Sequence, residues 1–126
     1  MEEQRRKDGF GLWPHKFLTR RYFQGYGTID GVEYRCQLFY SPAPEDIKDP
    51  DIPVGQFIIG LPIEGSYEMS PTEVIALKRP DERGIEFGKL GMAATKEYYF
   101  DLYHNKYKDN EKKPTLNIVV RKRNNG

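Results

Sequence analysis

RYFQGYGTIDGVEYRCQLFY (residues 21–40) sets two alternating segments on either side of Asp30-Gly31. Asp-Gly in that setting is a strong hairpin signal, because a type I′ turn needs positive φ at both central positions. A two-residue loop also sets the register, so residues whose numbers sum to 61 face one another. One face then carries Phe23, Gly25, Gly27, Ile29, Val32, Tyr34, Cys36 and Leu38, and reads as the core side. The other pairs Tyr22 with Phe39, Gln24 with Gln37, Tyr26 with Arg35 and Thr28 with Glu33. Rings beside a cation suit nucleobase stacking. Ordinary cross-strand pairing would account for the same residues with a few tenths of a kcal/mol each.

The flanking sequence extends this β reading. GFGLWPHKF (9–17) is a short extended segment, since Trp13 before Pro14 is biased towards β or polyproline geometry. SPAPEDIKDPDIPVG (41–55) has four prolines and reads as a long solvated loop. GQFIIGLPI (55–63) reads as a buried strand that breaks at Pro62. In SPTEVIALKRP (70–80), Ser70 and Glu73 form a capping box, Pro71 suits the first helical position and Pro80 ends the run, which predicts a helix over 71–79. IEFGKLGM (85–92) is a short strand, and KEYYFDLYH (96–104) alternates with Tyr98, Phe100 and Leu102 inward. TLNIVVRKR (115–123) is a final strand with Leu116, Ile118 and Val120 inward.

This order predicts a mainly β fold: a small OB-like barrel of five to six strands with one short helix. A small β-sandwich, or an open sheet covered by one helix, would read similarly. Residues 1–9 are read as a flexible tail, 10–123 as one domain and 124–126 as a frayed end. Three stretches echo one another as strand, charged or basic loop and strand: 11–29, 33–59 and 97–120. Convergent hairpin grammar is the preferred account of the echo, ahead of duplication.

Composition narrows the function. One cysteine allows no internal disulfide, the longest apolar run is far too short to span a bilayer, and the charged start lacks a signal-peptide core. These features predict a cytoplasmic protein without membrane association. Net charge is +1, yet residues 41–86 hold ten acids against four bases, and residues 89–126 hold nine bases against four acids. If the basic ends meet, one face is positive and a polyanion can bind.

The search for chemistry predicts no enzyme, no metal and no cofactor. Cys36 falls on the inward face without an adjacent base. His15 and His104 sit beside lysine-bearing loops, and no Cys/His spacing suits zinc. Asp46, Asp49 and Asp51 lack the downstream glutamate and loop of an EF-hand. The Gly-x-Gly at 9–11 and 25–27 lacks a phosphate loop.

Basic and aromatic residues do interleave. Residues 13–26 set Trp13, Phe17, Tyr22, Phe23 and Tyr26 among Lys16, Arg20 and Arg21. Residues 98–113 set Tyr99, Tyr103 and Tyr107 among Lys106, Lys108, Lys112 and Lys113. Single-strand binders combine such cations, which track phosphates, with rings that stack bases. The alternative is that Trp13 and Phe17 pack as a lid and the lysines form a solvated turn.

GLWPHK (11–16) followed by GTIDGVEYRCQLF (27–39) resembles a pattern in short phage and bacterial OB-like single-stranded DNA-binding proteins. There, a Leu-Trp-Pro-Asn-Lys-like segment precedes a Gly-x-Ile-x-Ile-Asp-Gly-x-x-Tyr hairpin. The chain departs from it with His15 for Asn and with its long acidic loop. The resemblance places Trp13, Lys16, Gly27, Ile29, Asp30, Gly31 and Tyr34 at matching positions, and implies that Trp13 and Lys16 touch ligand.

The leading expectation is a non-catalytic, viral single-stranded nucleic-acid binder, of DNA first, used in replication or recombination. Trp13, Tyr22, Tyr26, Phe39, Tyr99, Tyr103 and Tyr107 would stack bases. Lys16, Arg20, Arg21, Arg35, Lys106, Lys108, Lys112 and Lys113 would meet phosphates. The second expectation is a small protein-binding module, such as a phage inhibitor of a host enzyme, using the acidic 41–86 surface. The third is self-association through exposed rings into a homo-oligomer, as in a virion or assembly subunit.

Overall fold

Asp30 and Gly31 both adopt positive φ (52° and 80°), as a type I′ turn requires. They join the strands β2 (Arg20–Ile29) and β3 (Val32–Tyr40) in the expected register, from Phe23 opposite Leu38 to Ile29 opposite Val32. The computed structural model describes residues 8–17, 20–41, 49, 52–66, 68–105 and 112–123, without the side chains of Phe17 and Arg20.

Around this hairpin run β1 (Gly9–Phe17), β4 (Pro53–Pro62), β5 (Met69–Lys78), β6 (Lys89–Ala94), β7 (Tyr98–His104) and β8 (Leu116–Lys122), with one short helix, α1 (Glu82–Glu86), between β5 and β6. Each strand pairs antiparallel with the next, and β8 returns to β1, closing an eight-stranded barrel. The expectation of five to six strands is therefore corrected to eight. Sequential pairing all the way round also makes this an up-and-down barrel rather than the Greek-key connectivity of an OB fold. The extra strands are β1, which alternates Phe10 and Leu12 inward, and the segment expected to be helical.

That segment is β5. Ile75 and Leu77 are buried while Val74, Ala76 and Lys78 are exposed, a period of two. A helix over 71–79 would leave the β4 edge unpaired, whereas the strand pairs with β4 along its length. Pro71 is tolerated because it lies beside an irregularity in register between Ile59 and Gly60. The helix forms further on, cutting into the strand expected at 85–92. Asp81 caps it, its Oδ1 accepting from the Gly84 N–H at 2.7 Å, and Gly88 (φ 80°) lies just beyond its end.

The barrel interior is filled by side chains. Among the described residues fourteen apolar side chains are buried, including Phe10, Leu12, Leu38, Phe57, Phe100, Leu102 and Ile118. Phe57 meets Phe10 edge-on at 5.1 Å and Phe100 at 6.1 Å. The inward faces expected for β7 and β8 are observed. Val32, expected inward, is exposed because it adjoins the turn, beyond the end of the core. The three echoing stretches correspond to the β1–β2, β3–β4 and β7–β8 hairpins. An up-and-down path brings the connections of all three to one end of the barrel. No helix among the described residues is long and apolar enough to cross a membrane.

Candidate nucleic-acid interface

Alternation sends Gly11, Trp13 and His15 of β1 outward, opposite Tyr26, Gln24 and Tyr22 of β2. The register then continues across the wall. One outer row reads Gly11, Tyr26, Arg35, Gly60, and the next reads Trp13, Gln24, Gln37, Ile58, Val74. A third holds His15 and Tyr22, and Phe39 lies opposite Gln56.

Five rings meet on this face. Trp13 stacks on Tyr26 with centroids 5.3 Å apart and planes 22° from parallel. Tyr22 stacks on Phe39 at 5.4 Å and 27°, and His15 meets Tyr22 edge-on at 5.1 Å. Tyr26 is 64% exposed, so its ring is available to a ligand. The indole N–H of Trp13 donates to the Lys112 carbonyl at 3.1 Å, which ties the end of the β7–β8 connection to the face. Pro114 and the Trp13 ring occupy the space that a side chain at Gly11 would need. Lys112 and Lys113 are exposed beside them.

Arg35 lies at the centre. It is half-buried, and its Nε has no hydrogen-bond partner among the described residues. It lines a groove of about 720 Å³ with Tyr26, Thr28, Glu33, Tyr34 and Pro62, and a neighbouring one of about 290 Å³ with Trp13, His15, Gln24 and Tyr26.

The expected residues divide as follows. Trp13, Tyr22, Tyr26, Arg35 and Phe39 share the face, with Lys112 and Lys113 at its margin. Lys16 and Arg21 pair with each other, are exposed, and stand on the interior-facing side of the ribbon beyond the core, away from the rings. Tyr103 occupies the Tyr26 row but lies three strands away, through Asn117 and Gly11, or about 14 Å around the wall. Tyr99 lies under Arg121 and Arg123, whose guanidinium carbons are 5.3 and 5.1 Å from its ring centre. The Arg20 side chain and residues Lys106, Tyr107 and Lys108 lie outside the described set. His15 belongs to the face although its sequence context suggested no role. Pairing the alternation of residues 9–17 with that of 20–28 would have found it.

Away from this face, three groups are held by packing or pairing. Burial pushes the Cys36 thiol up to about 12, against a smaller opposing effect of its hydrogen bond with the Gly25 backbone. The Tyr98 hydroxyl donates to the Asp30 carboxylate, which, with smaller contributions from burial and nearby acids, pushes Tyr98 up to about 12. Asp101, buried on the outer side of β7, pairs with Lys89 at 3.2 Å and Arg121 at 2.9 Å, clasping β6, β7 and β8 together. The chain matches no protein-family model, no curated protein and no solved structure.

Proposed function

We propose that the outer face of β1–β3 binds single-stranded nucleic acid without altering it. The observation that carries this reading is the pair of ring stacks, Trp13–Tyr26 and Tyr22–Phe39, set beside Arg35 with Lys112 and Lys113 held at the margin. Bases stack on exposed rings for about 1–3 kcal/mol each, and the cations follow the phosphates. Such a protein would hold strands open during replication or recombination.

Fluorescence anisotropy of a labelled oligothymidylate tests it. With three phosphate contacts, affinity falls ~20-fold between 50 and 200 mM salt. Tyr26→Ala weakens binding by at least about fivefold. Absence of binding at low salt refutes the reading.

A second reading, a protein partner for the acidic segment, is favoured by Phe87 and Ile85, which are exposed beside Asp81, Glu82 and Glu86 at α1. A partner retained after nuclease treatment and lost on Phe87→Ser would support it. Loss of every partner to nuclease would count against it.

A further inference from the structure

We infer that the groove of about 720 Å³ beside Tyr26 is a base pocket that prefers guanine. The inference rests on the single-strand reading and goes beyond it, because stacking alone does not distinguish one base from another.

Three groups line the groove with different chemistry. Tyr26 offers an exposed ring. Glu33 and Arg35 stand two apart on the same face of β3, about 7 Å along the strand. They make no ion pair with each other, although opposite charges at this spacing have the reach for one. Glu33 is exposed, and the Arg35 Nε is without a partner among the described residues. An ionised carboxylate only accepts hydrogen bonds and a guanidinium only donates them. A base seated on Tyr26 therefore faces, side by side along β3, an acceptor pair and a donor fork.

Guanine matches both. Its N1–H and N2–H₂ are adjacent donors for a carboxylate, and its O6 and N7 are adjacent acceptors for a guanidinium. Thymine has one donor, N3–H, flanked by the acceptors O2 and O4, so a carboxylate gains one hydrogen bond and sets its second oxygen against a carbonyl. Adenine and cytosine each have one exocyclic amine next to a ring nitrogen that accepts, so a carboxylate gains one hydrogen bond and loses the second. Arginine paired with guanine O6 and N7 is also the commonest specific base contact of proteins on DNA.

Trp13 is the sole tryptophan and stacks on Tyr26, so its emission reports occupancy of the neighbouring groove. The full chain is titrated with a short oligothymidylate and with the same oligonucleotide carrying one central deoxyguanosine, deoxyadenosine or deoxycytidine. The expected result is binding at least about fivefold tighter for deoxyguanosine than for any of the other three, the lower end of what a bidentate base contact discriminates. Glu33→Gln lowers the guanine-to-thymine ratio, leaving the share that Arg35 supplies, and Glu82→Gln, on α1, leaves it unaltered. Oligothymidylate binding with a wild-type ratio of one overturns the guanine pocket and leaves the single-strand reading standing. A ratio that Glu33→Gln leaves unaltered also overturns it. Failure of every oligonucleotide to bind at low salt removes both.

Discussion

Replacing Gly25 with alanine tests the contact on which both the barrel closure and the aromatic face depend. Gly25 lies opposite Leu12, on the inward side of β2, where β1 crosses closely. A Cβ there would overlap the Gly11 carbonyl oxygen, and would lie 2.8 Å from the carbonyl carbon and 3.1 Å from the Leu12 Cα. All three atoms are backbone, so no rotamer change relieves the overlap. Ordinary contact begins near 3.4 Å, so clearing the carbonyl carbon alone requires β1 to retreat from β2 by 0.6 Å, and clearing the oxygen requires more. Overpacking of this kind costs about 1–3 kcal/mol. The lost freedom of the unfolded chain returns only about 0.4–1 kcal/mol.

Because the overlap is with rigid backbone, the cost lies at the upper end, about 3 kcal/mol, and the net expectation for Gly25→Ala is a loss of about 2 kcal/mol, or roughly 6–10 °C in Tm for a domain of this size. Because β1 carries Trp13 and β2 carries Tyr26, the same retreat separates the stacked pair and shifts Trp13 emission in the native state. Thermal unfolding followed by circular dichroism, together with the native emission spectrum, measures both effects. Gly31→Ala is the comparison: nothing lies within 4 Å of its Cβ, so only the cost of positive φ, about 1 kcal/mol, applies, and the Trp13 emission stays put. A Gly25→Ala protein as stable as wild type, with unshifted emission, would refute the close approach of the two strands.

Three other perturbations have definite outcomes. Trp13→Phe keeps an aromatic ring but loses the indole donor to Lys112, so stability falls by about 1 kcal/mol and oligothymidylate affinity falls with a shallower salt dependence; an unaltered salt slope counts against the tether. Asp101→Asn removes the charge between Lys89 and Arg121 and costs about 2 kcal/mol in urea unfolding, less than a fully buried pair because the Arg121 side chain is 58% exposed; a change under about 0.5 kcal/mol contradicts the clasp. The Cys36 thiol, raised by burial from 9.0 to about 12, contributes stability that is complete below pH 9 and lost as pH rises towards 12, so urea midpoints fall over that window in wild type and fall less in Cys36→Ala; equal declines show that the thiol does not titrate with unfolding.

The parts of the fold legible in the sequence are those where one local signal dominates. Asp30-Gly31 dictates its own turn, and the turn dictates which residues face across it. Phe100 and Leu102 in β7, and Leu116, Ile118 and Val120 in β8, alternate without competing signals. Residues 70–78 carry two signals: a Ser-x-x-Glu capping box and an Ile75/Leu77 alternation. The free edge of β4 decides between them, and that edge is a tertiary fact. The short helix at Asp81 follows a cap with too few residues after it to form a periodic pattern. The aromatic face was half legible for the same reason. Tyr22, Tyr26, Arg35 and Phe39 follow from one hairpin register. Including His15 requires pairing β1 with β2, and recognising the Lys112 tether requires the closed barrel. Tyr99 and Tyr103 look from the sequence like members of the same set because strand number, which sets distance around the wall, is not local information.

Closure also bears on the proposal that recognition uses the outside of this barrel. Large apolar side chains occupy most interior positions among the described residues, and the cavity of about 330 Å³ beside Ile29, Tyr34, Ile59 and Phe100 is confined to the end of the barrel near the β2–β3 turn. None of Trp13, Tyr22, Tyr26 or Phe39 is among the buried core residues, and core packing gives no reason for rings at those positions. An aliphatic or polar residue at the Tyr26 position would complete the β2–β3 pairing equally well and spare the exposure of a ring. What the rings do share is a rigid, twisted platform, with Trp13 fastened to the β7–β8 connection and Tyr26 opposite Arg35. A platform whose stacking partners are already ordered loses little further freedom when a base is added, which is the condition under which a few stacking contacts suffice for binding.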